Sequence, residues 1–118
     1  MKDKVALITG ASSGIGWSTA KAFAAEGCKV VVAARREEEL ASLASEIQDQ
    51  GGTASYITTD VSSSQAVQKM VDHAVSTYGR LDFGINNAGI EGLFTGVTEF
   101  PEEEWEKVID INLKGTFY

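Results

Sequence analysis

A chain of 118 residues with 43% hydrophobic and 23% charged residues is expected to be one domain, residues 1–118, long enough to bury a core. Its net charge of −7 argues against nucleic acid or an anionic membrane as a main partner. The single cysteine, Cys28, excludes an internal disulfide and fits a reducing, cytoplasmic compartment; no stretch is apolar for long enough to span a bilayer, and Met1 to Lys4 leads into the first apolar run without a secretory leader pattern.

The run Val5-Ala6-Leu7-Ile8 reads as a fully buried parallel strand. Thr9-Gly10-Ala11-Ser12-Ser13-Gly14-Ile15-Gly16 follows directly, and a helical pattern begins within it. A strand, a glycine-rich turn and a helix N-terminus make a phosphate site for a physical reason. The first-turn N–H groups have no partner inside the helix, and the macrodipole adds positive charge there. Glycines let a pyrophosphate approach without meeting a Cβ. The hydroxyls of Ser12 and Ser13 can donate to its oxygens. The blander alternative is a glycine-rich turn that only packs a helix on a strand.

The first helix is expected from Gly14 to Glu26, with Gly16, Ala20, Phe23 and Ala24 toward the sheet and Gly27 as its stop. Trp17 is expected at the surface or at an interface. Lys29 to Ala34 is a second buried strand. Units that take NAD carry an acid at the end of this strand. Ala34 stands there instead, followed by Arg35 and Arg36, whose guanidinium groups suit a 2′-phosphate. NADP(H) is therefore the favoured cofactor, with NAD(H) as second choice. The alternative is a pair of solvated arginines that meet Glu37, Glu38 and Glu39.

Glu37 to Gln50 is an amphipathic helix with Leu40, Leu43, Ala44 and Ile47 on one face, closed by Gly51-Gly52. Thr53 to Thr59 is a third strand. Asp60-Val61 follow it, on the ligand side of a parallel sheet, although an aspartate there also suits a turn into the next helix. Ser62-x-x-Gln65 is a capping box for a helix that buries Val67, Met70, Val71, Ala74 and Tyr78 and stops at Gly79. His73 falls off that stripe and is expected to be exposed.

Leu81 to Ile85 is a fourth strand, and Asn86-Asn87-Ala88-Gly89 forms a polar ledge beside the phosphate loop. Ile90 to Phe100 is a loop. Pro101 opens a last helix as its first residue, with Glu102 to Glu104 in the first turn and Trp105, Val108, Ile109 and Asn112 along the apolar stripe. An amide on that stripe needs partners if it is buried.

Together, the T-G-x-x-x-G-x-G loop at Thr9 to Gly16, Asp60-Val61, N-N-A-G at Asn86 to Gly89 and N-L-x-G at Asn112 to Gly115 resemble the short-chain dehydrogenase/reductase family across essentially the whole chain. The resemblance implies an α/β fold, a Rossmann-type parallel sheet in the order 3-2-1-4 with helices on both faces. It also implies that the fold is truncated after the fourth strand and the helix that follows. It assigns cofactor contacts to Thr9, Gly10, Ser12, Ser13, Gly14, Ile15, Gly16, Arg35, Arg36, Asp60, Val61, Asn87, Ala88 and Gly89, with Asp60 and Val61 at the adenine and Arg35 as the discriminating arginine. Members with a basic residue before the second loop glycine gain a further phosphate contact, and Ser13 stands there here. Asn112 is implied as a catalytic residue that kinks its helix and whose carbonyl holds a water of the proton relay. No metal site is expected.

The family's chemistry is hydride transfer between nicotinamide and a carbonyl or alcohol carbon. It uses a serine and a Tyr-x-x-x-Lys pair as well as the asparagine. Tyr56 and Tyr78 are each followed at the fourth position by aspartate, Asp60 and Asp82, and Tyr118 is the last residue. The chain alone is therefore expected to be inactive. The other readings are a non-catalytic dinucleotide-binding or interaction module and a vestigial fragment. The open edge of the fourth strand leads to the expectation of a homo-oligomer, using the last helix.

Overall fold

The structure is a computed structural model that describes residues 2–92 and 96–118. Strands β1 (Val5–Thr9), β2 (Lys29–Ala34), β3 (Thr53–Thr58) and β4 (Phe83–Ile85) form one parallel sheet in the order β3-β2-β1-β4. Helices α1 (Gly14–Ala25), α2 (Glu37–Asp49) and α3 (Ser64–Tyr78) connect them. The chain then continues through a short 3-10 turn, Val97–Glu99, and α4 (Glu102–Ile109). A π-helical turn (Asp110–Lys114) and a final short helix, α5 (Gly115–Phe117), complete the described elements.

The period-two alternation of the central strands explains the layering. Ala6 and Ile8 of β1 and Val30 and Val32 of β2 face α1 and α2, where Ala20, Leu40, Leu43, Ala44 and Ile47 close over them. Leu7, Val31 and Ala33 face the other way, onto Val67, Met70 and Ala74 of α3 and onto Ile111. Both faces of β1 and β2 are thus covered, which is why these strands read as continuous apolar runs.

Several expectations shift by a residue or a surface. The capping box at Ser62 does not form. Ser63 is the N-cap of α3 and its Oγ accepts from Ala66 N at 3.2 Å, because Ser62 is already bound to Asp60. Pro101 is the N-cap of α4 rather than its first helical residue. His73 is half-buried, with its Nε2 3.2 Å from Ser55 Oγ on the edge strand β3. Trp17 lies half-buried against the α1–α2 core.

β4 is shorter than expected. Below Phe83 the ladder continues partly through a side chain: Asp82 N donates to Val5 O at 2.9 Å, and Val5 N donates to the Asp82 carboxylate at 2.9 Å. Arg80 holds the same carboxylate at 2.6 Å. The loop expected from Ile90 to Phe100 includes the 3-10 turn, and its residues 93–95 lie outside the described residues.

In α4 the apolar stripe differs from the expected one. Trp105 is 58% exposed, whereas Ile111 and Gly115 are the buried positions. Gly115 explains the choice, since a Cβ there would stand 2.7 Å from Val61 Cγ2. Only a glycine lets the last helix approach the segment after β3 this closely.

Candidate functional site

The carboxyl ends of all four strands open onto one cleft of about 590 Å³. The loop after β1 contributes Gly10, Ser12, Ser13 and Ile15, and the end of β2 contributes Arg35 and Arg36. Asp60 and Val61 follow β3, and Asn87, Ala88 and Gly89 follow β4. Eleven of the fourteen residues that the resemblance assigns to cofactor line this cleft; the other three, Thr9, Gly14 and Gly16, do not. Ala33, Ala34, Thr59, Ile90 and Ile111 also line it and were not among the expected contacts. Ile111 had a signal in the sequence, an apolar residue beside Asn112, but the assumed stripe pointed it away.

Thr9 and Gly16 build the loop from behind. Thr9 is 5% exposed, and its Oγ1 accepts from Asn87 N and Ala88 N, both at 3.0 Å, while donating to Ile85 O at 3.3 Å. One hydroxyl has one proton and two lone pairs, and all three are used. Asn87 Nδ2 reaches back to Gly10 O at 3.2 Å. The ledge after β4 is therefore tied to the loop after β1 by side chains, beyond the end of the β1–β4 ladder. Gly10 sits at φ +64°, and a Cβ on it would meet Ala88 Cα at 2.9 Å. Both its conformation and its neighbour require glycine.

The N-terminus of α1 differs from those of the other long helices. Its first turn carries no acid and no side-chain cap, whereas α2 has Glu37 to Glu39 and α3 has the Ser63 cap. Open space surrounds the point where a Cβ on Gly14 would stand. An anion fits this end of the cleft, because the helix supplies donors and positive potential that no side chain consumes.

The two arginines are both exposed and sit differently. Arg36 Nη2 donates to Ser12 Oγ at 3.4 Å, and its Nη1 lies 3.8 Å from Glu39 Oε1. Arg35 acts electrostatically on Asp60 across the cleft. Asp60 Oδ1 accepts from Ser62 Oγ at 2.6 Å and from Ser62 N at 3.0 Å. These bonds, with Arg35 as a lesser cause, hold the Asp60 carboxyl below its ordinary pKa. Asp60 is thus both the turn residue into α3 and a charged group in the cleft.

A depressed folded-state pKa sets a sign. The contribution of Asp60 to stability is complete above the ordinary carboxylate range and is lost as pH falls through the lowered folded value. Ser62→Ala is expected to raise the Asp60 pKa toward that range, as read from an NMR titration of its carboxyl carbon. An unchanged titration would rule out Ser62 as the main cause.

Asn112 lies in the π-helical turn, and its side chain is exposed rather than buried. Both ends of its amide are nevertheless engaged: Oδ1 accepts from Ile90 N at 2.8 Å and Nδ2 donates to Ile90 O at 2.7 Å. This reciprocal pair pins the strand-end ledge to the last helix. The Asn112 carbonyl accepts from Thr116 Oγ1 at 3.4 Å. Among the described residues no group of three His, Cys, Asp or Glu is arranged to hold a metal ion, and no helix is long and apolar enough to cross a membrane.

A parallel 3-2-1-4 sheet whose strand ends converge on a glycine-rich loop and a bare helix N-terminus defines a Rossmann-type nucleotide-binding unit. The family described as short chain dehydrogenase matches residues 4–118, and the chain belongs to it. An uncharacterised oxidoreductase of Staphylococcus aureus strain USA300 is 39% identical over 118 residues, which are 100% of this chain and 50% of that protein. The chain spans about half the length of the curated relatives it matches. Among solved structures, a metagenomic short-chain oxidoreductase in complex with NADP superposes with a TM-score of 0.94 at 33% identity, over 99% of this chain and 53% of that one. A xylitol dehydrogenase with NAD+ bound does so with a TM-score of 0.94 at 35% identity, over 98% and 45%. Relatives in this family thus bind either nicotinamide dinucleotide, and a cofactor of that class is supported here.

Proposed function

We propose that this chain is the NADP(H)-binding part of a short-chain oxidoreductase that moves hydride between nicotinamide and a carbonyl or alcohol substrate. The observation that carries the reading is the single cleft shared by the Ser12–Ser13 loop, Arg35, Arg36, Asp60 and the Asn87–Gly89 ledge. The bare N-terminus of α1 and the two serine hydroxyls suit the pyrophosphate. The arginines after β2 suit a 2′-phosphate, where NAD-binding units place an acid that would repel it. Asp60 and Val61 suit the adenine, and Asn87 to Gly89 form the floor under the ribose and nicotinamide end. The bound dinucleotide supplies the hydride.

The part of Asn112 in proton relay belongs to the same reading. These 118 residues hold no Tyr-x-x-x-Lys, so by themselves they bind cofactor without turning over a carbonyl. The net charge of −7 and the lone, buried Cys28 support a cytoplasmic setting without nucleic acid. Exposure of Trp105, Leu113 and Phe117 at 58%, 63% and 85% along the last helical stretch supports self-association through it.

Calorimetric titration with NADPH and with NADH tests the cofactor assignment. NADPH is expected to bind more tightly, and Arg35→Ala is expected to erase that gap. The loss is roughly ten- to a hundredfold in NADPH affinity, the usual worth of hydrogen bonds to a charged group. An unchanged gap would sink the assignment of Arg35.

A further inference from the structure

We propose that Glu39 sets how strongly the cleft discriminates for a 2′-phosphate, by competing with that phosphate for Arg36. The inference rests on the NADP(H) reading above and concerns a residue that reading does not use. Arg35 and Arg36 look equivalent in sequence and are not equivalent in the structure. Arg35 makes no hydrogen bond or salt bridge with a described residue and stays available to a ligand. Arg36 has a partner near each tip: Nη2 donates to Ser12 Oγ at 3.4 Å, and Nη1 forms an exposed ion pair, 3.8 Å from Glu39 Oε1. Its guanidinium therefore bridges the first turn of α2 to the phosphate loop.

The two terminal nitrogens of a guanidinium are the fork that a phosphate takes bidentately. Glu39 stands beside one tine of that fork, 3.8 Å from Nη1. Ser12 is a neutral partner that can share a phosphate with Arg36. Glu39 is an anion that cannot, since its charge opposes an incoming phosphate dianion at short range. Among the described residues, Glu37 and Glu38 make no ion pair with either arginine, so the effect belongs to Glu39. Glu39 acts as a positioning residue: it competes with a phosphate for Arg36 Nη1 and so weakens the grip on that phosphate. NADH, with a free 2′-hydroxyl, does not need Arg36 and is indifferent to Glu39.

The test titrates the purified protein and its Glu39→Gln variant with NADPH, with NADH and with adenosine 2′,5′-bisphosphate, then repeats it in an Arg36→Ala background. Expected are NADPH and bisphosphate binding tighter by up to about fivefold, the ceiling for an exposed ion pair. NADH binding is unchanged, and the gain disappears without Arg36. A protein that prefers NADPH but shows no gain, or a loss, in Glu39→Gln overturns the role of Glu39 and leaves the cofactor reading standing. A gain that persists in Arg36→Ala overturns the route through Arg36. A wild-type protein that binds NADH at least as tightly as NADPH, or neither, overturns both readings at once.

Discussion

Gly16→Ala is expected to lower the melting temperature by about 10 °C, corresponding to roughly 2–3 kcal/mol for a domain of this size. Two effects of opposite sign compete. Alanine is the better helix former by about 1 kcal/mol, and at an open position in α1 the change would stabilise. At Gly16 the added Cβ points at Gly10 O and stands 2.7 Å from Asn87 Nδ2. The first of these is backbone, and the second is an amide already committed to Gly10 O at 3.2 Å. Neither yields without opening the loop, so the clash exceeds the propensity gain. The same displacement would widen the cleft between Gly10 and Asn87, and NADPH affinity is expected to fall with stability. A melting temperature that stays level or rises in thermal unfolding would show that α1 and the loop are not packed this closely.

Thr9→Val is the second large effect. Valine keeps the shape and the burial and removes only the hydroxyl. Two amide N–H groups, of Asn87 and Ala88, lose the acceptor they share at 3.0 Å. Leaving a buried donor unpaired costs about 1–3 kcal/mol. Asn87 N keeps a bond to Ile85 O at 3.1 Å, which places the sum at roughly 2–4 kcal/mol rather than higher. Thr9→Ser retains the hydroxyl and is expected to lose far less. Denaturant midpoints for the two variants, with hydrogen exchange at the Asn87 and Ala88 amides, check the argument. Equal stability of the valine and serine variants would remove the hydroxyl from the account.

These two residues show how the site is assembled. In sequence, Thr9 and Gly16 look like members of a phosphate loop. In three dimensions neither lines the cleft; both pack against the ledge after β4, more than seventy residues later. These contacts fix the loop's backbone against the ledge.

Local pattern alone specifies the sheet and brings the candidate site residues to one side of it. Continuous apolar runs at Val5 and Lys29 can be stable only in a sheet covered on both faces, and the spacing of Leu40, Leu43, Ala44 and Ile47 has only one amphipathic solution. The loop at Thr9 to Gly16, the arginines after β2, Asp60 and the Asn87–Gly89 ledge were legible because each follows the end of a strand. In a parallel sheet all strand ends reach the same side, so local pattern already places them together.

Contacts distant in the chain settled the choices between locally equivalent options. Ser62 and Ser63 both suit a cap, and Asp60 decides by taking Ser62. The last helix offers two faces, the expected one through Trp105, Val108, Ile109 and Asn112 and one through Ile111 and Gly115. The contact of Gly115 with Val61 selects the second. His73 falls off the helical stripe, yet the edge strand β3 supplies it with Ser55. Arg35 and Arg36 are adjacent cations in the chain; only Arg36 finds partners, in Ser12 and Glu39, among the described residues. Periodicity and propensity act over one turn or one strand and cannot rank such alternatives. Each is settled by a partner distant in the chain, whose position exists only once the sheet has formed.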